Sequence, residues 1–132
     1  MRVIEKKIID TIKGFEENWE ASDYTIKRLT CRDVVTVVNA KVRVNLWENP
    51  IFAMDLLAKP IVWFSFSGWT SNTTKSRLNA LLSAFSMGGF YQKDWEICYS
   101  SSNQKAVKID TSKIYKVYNG KVTEVAGFWQ LY

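Results

Sequence analysis

Near the amino terminus apolar residues recur at spacings of three and four. Val3, Ile4, Ile8, Ile12, Phe15 and Trp19 form the stripe, and Glu5, Lys6, Lys7, Lys13, Glu16 and Glu17 fill the other faces. That period is an amphipathic helix of roughly five turns over residues 1–20. The stripe can dock on the rest of the chain or pair with a second copy, and docking within the chain is the expected arrangement. Gly14 weakens the helix by about 1 kcal/mol relative to alanine.

From Tyr24 the pattern changes to short β-like runs. Val34–Val38 is β-branched and expected to be buried. Val42, Val44 and Leu46 alternate with Arg43, Asn45 and Trp47, the period-two mark of a half-buried strand. Asn39-Ala40 connects these two as a hairpin, and Glu48-Asn49-Pro50 is the next expected turn. Further strands are expected over Ile51–Leu57, Ile61–Phe66, Trp95–Tyr99 and Lys113–Tyr118, with Val122–Ala126 returning from an Asn119-Gly120 turn. Ser100-Ser101-Ser102-Asn103-Gln104 is expected to be a mobile surface loop. Leu78, Leu81, Leu82 and Phe85 share one helical face, which predicts a second helix over about 74–86. Asn72 or Thr73 would cap it and Gly88-Gly89 would end it. The expected fold is α+β: one domain over residues 1–132, an antiparallel meander with an amino-terminal helix and one inserted helix.

Composition narrows the chemistry. The 132 residues contain no histidine, which removes the usual general base, the Ser-His and Cys-His nucleophile pairs, and most zinc and copper sites. Cys31 and Cys98 lie 67 residues apart in strand-like surroundings, so buried, reduced thiols are the expectation. Asp94 and Glu96, at i and i+2, would share a strand face, most simply a solvated one. No P-loop, GxSxG or HExxH is present. A binding protein is expected rather than an enzyme, with no metal and no cofactor. The amino terminus lacks the character of a signal peptide, and no apolar run is long enough to span a membrane, so a soluble, cytoplasmic protein with no membrane partner is expected.

Charge and aromatics point toward anions. Residues 1–20 hold four basic and five acidic side chains, against fourteen and eight in the remainder. The net +5 therefore belongs to the body of the domain and favours nucleotides, nucleic acid or acidic surfaces. Aromatics reach 14%, with six tryptophans, enough to supply an interface or a stacking surface as well as a core.

These trends meet at Gly68–Leu82. Strand, glycine, polar loop and capped helix follow in that order, placing free backbone N–H groups beside Lys75 and Arg77. The candidate ligand-binding residues are Trp69, Thr73, Thr74, Lys75, Arg77 and Asn79, with Trp69 as a flat surface for a base. Cations are mildly unfavourable at a helix amino terminus, so two of them there imply either indifference or a compensating anion. Plain capping on a solvated face explains the same residues, and both readings stay open.

The stretch Phe66-Ser67-Gly68-Trp69-Thr70, continued by Thr73-Thr74-Lys75-Ser76-Arg77-Leu78-Asn79-Ala80-Leu81, resembles a pattern in small proteins of tailed bacteriophages and prophages. There a GW-T-TTK-RLNAL core follows a strand pair and precedes a YQK strand, matched here by Tyr91-Gln92-Lys93. Arg32-Asp33 and the Leu46–Ala53 hairpin also fit, so the resemblance covers roughly residues 30–99. It implies a phage accessory protein, a group that includes proteins sequestering nucleotide signals of host defence, such as cyclic ADP-ribose derivatives or cyclic oligonucleotides. Sponges of that kind commonly bind at subunit interfaces, which implies a homo-oligomer. Two rivals remain: a nucleic-acid-binding protein using Arg43, Lys75, Arg77, Lys93, Lys105 and Lys108 with exposed aromatics, and a protein–protein inhibitor or structural component anchored by tryptophans.

Overall fold

The computed structural model describes residues 2–18, 24–57, 61–68, 71–102 and 104–129. Helix α1 spans Val3–Asn18, and strands β1 (Tyr24–Arg28), β2 (Asp33–Val38), β3 (Lys41–Leu46), β4 (Asn49–Asp55) and β5 (Val62–Ser65) follow as a meander. Helix α2 (Asn72–Ala84) leads into a smaller meander of β6 (Gly89–Lys93), β7 (Glu96–Ser101) and β8 (Gln104–Lys108). A final hairpin comprises β9 (Ile114–Tyr118) and β10 (Lys121–Val125). All pairings are antiparallel, and the hairpin returns to pair β9 with β5. The larger sheet runs β1-β2-β3-β4-β5-β9-β10 and the smaller β6-β7-β8. This is the α+β architecture that the periodicities imply, with the meander divided into two sheets.

The core lies between the larger sheet on one side and α1, α2 and the smaller sheet on the other. Val35, Val37, Val42 and Val44 face it at alternate positions, as period two requires. Ile8, Ile9 and Ile12 of α1 and Leu78, Leu81 and Leu82 of α2 close over them. The stripe of α1 thus docks within its own chain from Ile4 to Phe15, while Val3 is exposed and Trp19 lies outside the described residues. An aromatic cluster joins the two sheets: Phe64 of β5 lies with its ring centroid 4.8 Å from Phe90, 6.3 Å from Tyr99 and 5.4 Å from Tyr115. The chain approaches itself closely at Gly88 (φ +94), where a Cβ would lie 2.7 Å from the Ser100 carbonyl and the Tyr99 hydroxyl. On the opposite face of the larger sheet, Phe128 and Trp129 cover Ala53, Trp63 and Val125.

Among the described residues, four two-residue hairpin turns have both φ values positive: Asn39-Ala40, Trp47-Glu48, Asp94-Trp95 and Asn119-Gly120. The first and last lie where the sequence places them. The second does not. Asn49 and Pro50 belong to β4 rather than to a turn, and Pro50 sits opposite the register shift at Val44/Asn45, where a missing ladder N–H is tolerated. Trp95 does not begin a strand either; it occupies the hairpin tip, 94% exposed. The Ser100–Gln104 stretch is not a loop. Ser100 and Ser101 end β7 and Gln104 begins β8, so backbone pairing organises a segment that lacks hydrophobic alternation. Asn103 lies outside the described residues.

Neither cysteine is buried. Cys31 is exposed in the bend between β1 and β2, Cys98 is half-buried on β7, and both are free thiols. No helix among the described residues is long and apolar enough to cross a membrane.

Candidate anion-binding pocket at the start of α2

Helix α2 begins at Asn72, two residues ahead of the start expected near 74, and ends at Ala84, with Ser86 (φ +58) rather than Gly88-Gly89 in the left-handed position behind it. Ser71, not Asn72 or Thr73, is the N-cap: its extended backbone (φ −64, ψ 151) lets Oγ accept from the Thr74 N–H at 3.2 Å. The Ser71 and Thr74 hydroxyls are also bonded to each other at 3.1 Å. Thr74 is buried by this arrangement and lines the pocket more by its position than by a free hydroxyl.

Arg77 does not face solvent. It is 1% exposed, between Glu5 of α1 (3%) and Asp33 of β2 (1%). Its Nε donates to Asp33 Oδ1 at 2.8 Å, its Nη2 reaches Asp33 Oδ2 at 3.5 Å, and its Nη1 donates to Glu5 Oε2 at 3.0 Å. Ser76 Oγ and the Arg2 N–H also donate to Glu5, and Thr30 Oγ1 donates to Asp33 Oδ2. The compensating anions that a cation in the first turns of a helix requires are therefore two carboxylates of the same chain, and Arg77 has no place in an external anion site. Burial alone would raise the Glu5 pKa, but the Ser76 hydroxyl, the Arg2 amide and Arg77 outweigh it and hold the carboxyl below its ordinary value. A carboxylate depressed by folding stabilises the fold above its unfolded pKa, and that contribution disappears as pH falls through the folded value. Urea midpoints are thus expected to drop in acid. Glu5→Gln should flatten that limb, and an unchanged acid limb in the variant would show that Glu5 does not contribute to it.

The other expected site residues separate. Lys75 Nζ donates to Gln92 Oε1 at 3.2 Å, and Asn79 Oδ1 accepts from the Phe90 N–H at 2.7 Å, so both link α2 to β6. Thr73 remains half-buried at the pocket. Trp69 lies outside the described residues. Asp94 and Glu96 do not share a strand face: Asp94 is in the turn and Glu96 pairs with Lys108 at 2.8 Å. The cations of the nucleic-acid reading are dispersed as well. Arg43 lies on the larger sheet over Phe128, while Lys93, Lys105 and Lys108 lie on the smaller one.

A different set of residues converges at the capped end of α2. A cavity of about 500 Å³ is lined by Arg32, Leu46, Trp47, Asn49, Ile51, Ser71, Thr73 and Thr74. Leu46 and Ile51 are buried and supply an apolar floor. Trp47, 60% exposed at its positive-φ turn, stands beside the Arg32 guanidinium, which lies 6.0 Å from the ring centroid. The site thus combines a cation, an aromatic plane and the positive end of a helix dipole over an apolar base. Arg32 and Trp47 escaped the local reading of Gly68–Leu82 because they come from the β1–β2 bend and the β3–β4 turn. The one sequence signal was that both lie inside the stretch resembling phage proteins.

Against protein-family models, residues 1–124 match the model described as Kyanoviridae Gp96 protein. No curated protein and no solved structure matched the chain.

Proposed function

The chain belongs to the Kyanoviridae Gp96 family of phage proteins, and on that premise we propose that it binds an anionic, nucleotide-type ligand without turning it over. In this reading it acts in the host cytoplasm and sequesters a nucleotide signal of host defence. The observation that carries the proposal is the meeting of Arg32, Trp47 and the capped start of α2 around one cavity. Its volume falls in the range of small-molecule sites, roughly 300–1,000 Å³. Arg32 and the first-turn N–H groups suit a phosphate, and Trp47 suits a base. A chain without histidine lacks the usual means of hydrolysing what it holds. Of the residues singled out in the sequence, Thr73 and Thr74 stay with the pocket, while Arg32 and Trp47 take the roles first given to Lys75, Arg77 and Trp69.

Calorimetry against cyclic nucleotides and ADP-ribose derivatives tests this. A ligand should bind with quenching of tryptophan emission. Arg32→Ala, at a half-exposed side chain, should weaken it about 10- to 100-fold, the equivalent of one charge-assisted hydrogen bond. Absence of heat with every ligand, or an affinity that Arg32→Ala leaves unchanged, would end the proposal. Affinity for long nucleic acid that collapses with salt would favour the rival polyanion reading instead.

A further inference from the structure

The larger sheet has two terminal strands, and the chain treats them differently. At one end, side chains of the smaller sheet bond to β10 and the turn before it: Gln104 Oε1 accepts from the Val122 N–H at 2.7 Å, and Ser101 Oγ donates to the Gly120 carbonyl. At the other end, β1 pairs with β2 alone. No other backbone hydrogen bond to Tyr24–Arg28 is present among the described residues. Its side chains are exposed at four of five positions, including Tyr24 at 67% and Ile26 at 46%. An open edge of this kind is a template for another strand.

We propose that the occupant is the β1 of a second copy, joined antiparallel about a two-fold axis at Ile26. The case rests on the sequence of the strand, Tyr-Thr-Ile-Lys-Arg, which is complementary to itself in that register. A two-fold axis normal to the sheet keeps the same face of both copies on the same side, so only registers that pair residues of equal parity are available. Centred on Ile26, the pairing sets Tyr24 opposite Arg28, Thr25 opposite Lys27, and Ile26 opposite itself. Arg28 then lies across from an aromatic ring twice per interface. The nearest like charges, Lys27 and its copy, fall on a diagonal roughly 7–8 Å apart. Sliding the partner two positions in one direction opposes Lys27 to itself; sliding it the other way leaves Arg28 without a partner in the strand. The centred register alone uses all five residues without opposing like charges. The larger sheets of the two copies become one continuous sheet, and the exposed Tyr24 and Ile26 are covered. The α2 pocket takes no part, so the interface and the ligand site stand or fall separately.

Sedimentation velocity on the full chain tests the interface. The wild type should show a concentration-dependent species of twice 15.3 kDa. Tyr24→Lys places a lysine opposite Arg28 in the dimer but remains solvent-exposed in the monomer. It should weaken association roughly tenfold at unchanged circular dichroism, because two like-charge pairs replace two favourable ones. Adding Arg28→Glu to that variant should restore the dimer. As a second measure, Ile26→Cys in a Cys31→Ser, Cys98→Ser background should crosslink to its own copy on oxidation. A wild type that stays monomeric overturns the proposal. So does a dimer that Tyr24→Lys leaves intact and Ile26→Cys does not crosslink.

Discussion

Arg77→Ala is expected to cost about 3–5 kcal/mol of folding stability, the range for removing one partner of a buried ion pair. The guanidinium is 1% exposed and answers two carboxylates that are themselves buried. Deleting it leaves both charges with hydroxyl and amide donors alone, and a domain stable by ~5–15 kcal/mol tolerates little of that. Arg77→Lys should recover only part of the loss, because an ammonium cannot reproduce the in-plane contacts of Nε and Nη2 with Asp33 while Nη1 holds Glu5. Urea denaturation followed by circular dichroism measures both variants. A loss below about 1 kcal/mol for Arg77→Ala would mean that water reaches the carboxylates and that the cluster is not sealed. The same expectation bears on ligand binding: diminished binding in an Arg77 variant reports on folding, so Arg32 is the informative position.

Phe64→Ala is expected to be comparably severe, at about 3–5 kcal/mol. Phe64 is fully buried on β5, and its ring neighbours Phe66, Phe90, Tyr99 and Tyr115 come from both sheets. The void left by truncation would open where the smaller sheet meets the larger one. Edge-to-face contacts with Phe66 and Phe90 and offset stacking on Tyr115 would be lost together with the burial. Equilibrium unfolding should show the reduced midpoint, and near-ultraviolet circular dichroism should show a loosened aromatic environment. An unchanged aromatic spectrum with a small loss of stability would mean that the neighbouring rings collapse into the space.

The helices were legible because each carries a long apolar period. Ile8 and Ile12 of α1, and Leu78, Leu81 and Leu82 of α2, are the positions that the period selects, and all are buried. Val34–Val38 was legible as a strand from its β-branched run, although only Val35 and Val37 of it are buried, and the alternation through Leu46 was legible from its period of two. The β7–β8 pairing was not, because the serines that end β7 and the polar run of β8 are held by backbone bonds and leave no hydrophobic signature. The Asp94-Trp95 turn was hidden by tryptophan itself, a residue that favours strands yet here adopts φ +67. At the site, Thr74 and Arg77 share a helical face with Leu78 and Leu81, spaced as i, i+3, i+4 and i+7. The reading of Arg77 as an anion ligand on a solvated face passed over that spacing, and its partners lie 72 and 44 residues away, beyond any local pattern. The pocket stayed invisible for the same reason. Arg32, Trp47 and Thr73 meet only when two hairpins are folded against α2.

The Glu5–Arg77 contact also sets a schedule for biogenesis. At ~5–20 residues per second, a ribosome that has just made Glu5 needs roughly 4–14 s to reach its partner 72 positions later. Throughout that interval the isoleucine stripe of α1 has neither its salt-bridge anchor nor the leucines of α2 to cover it. Helix α1 is thus made long before it can be secured, and its apolar stripe is most exposed to holdase chaperones and proteases before α2 emerges.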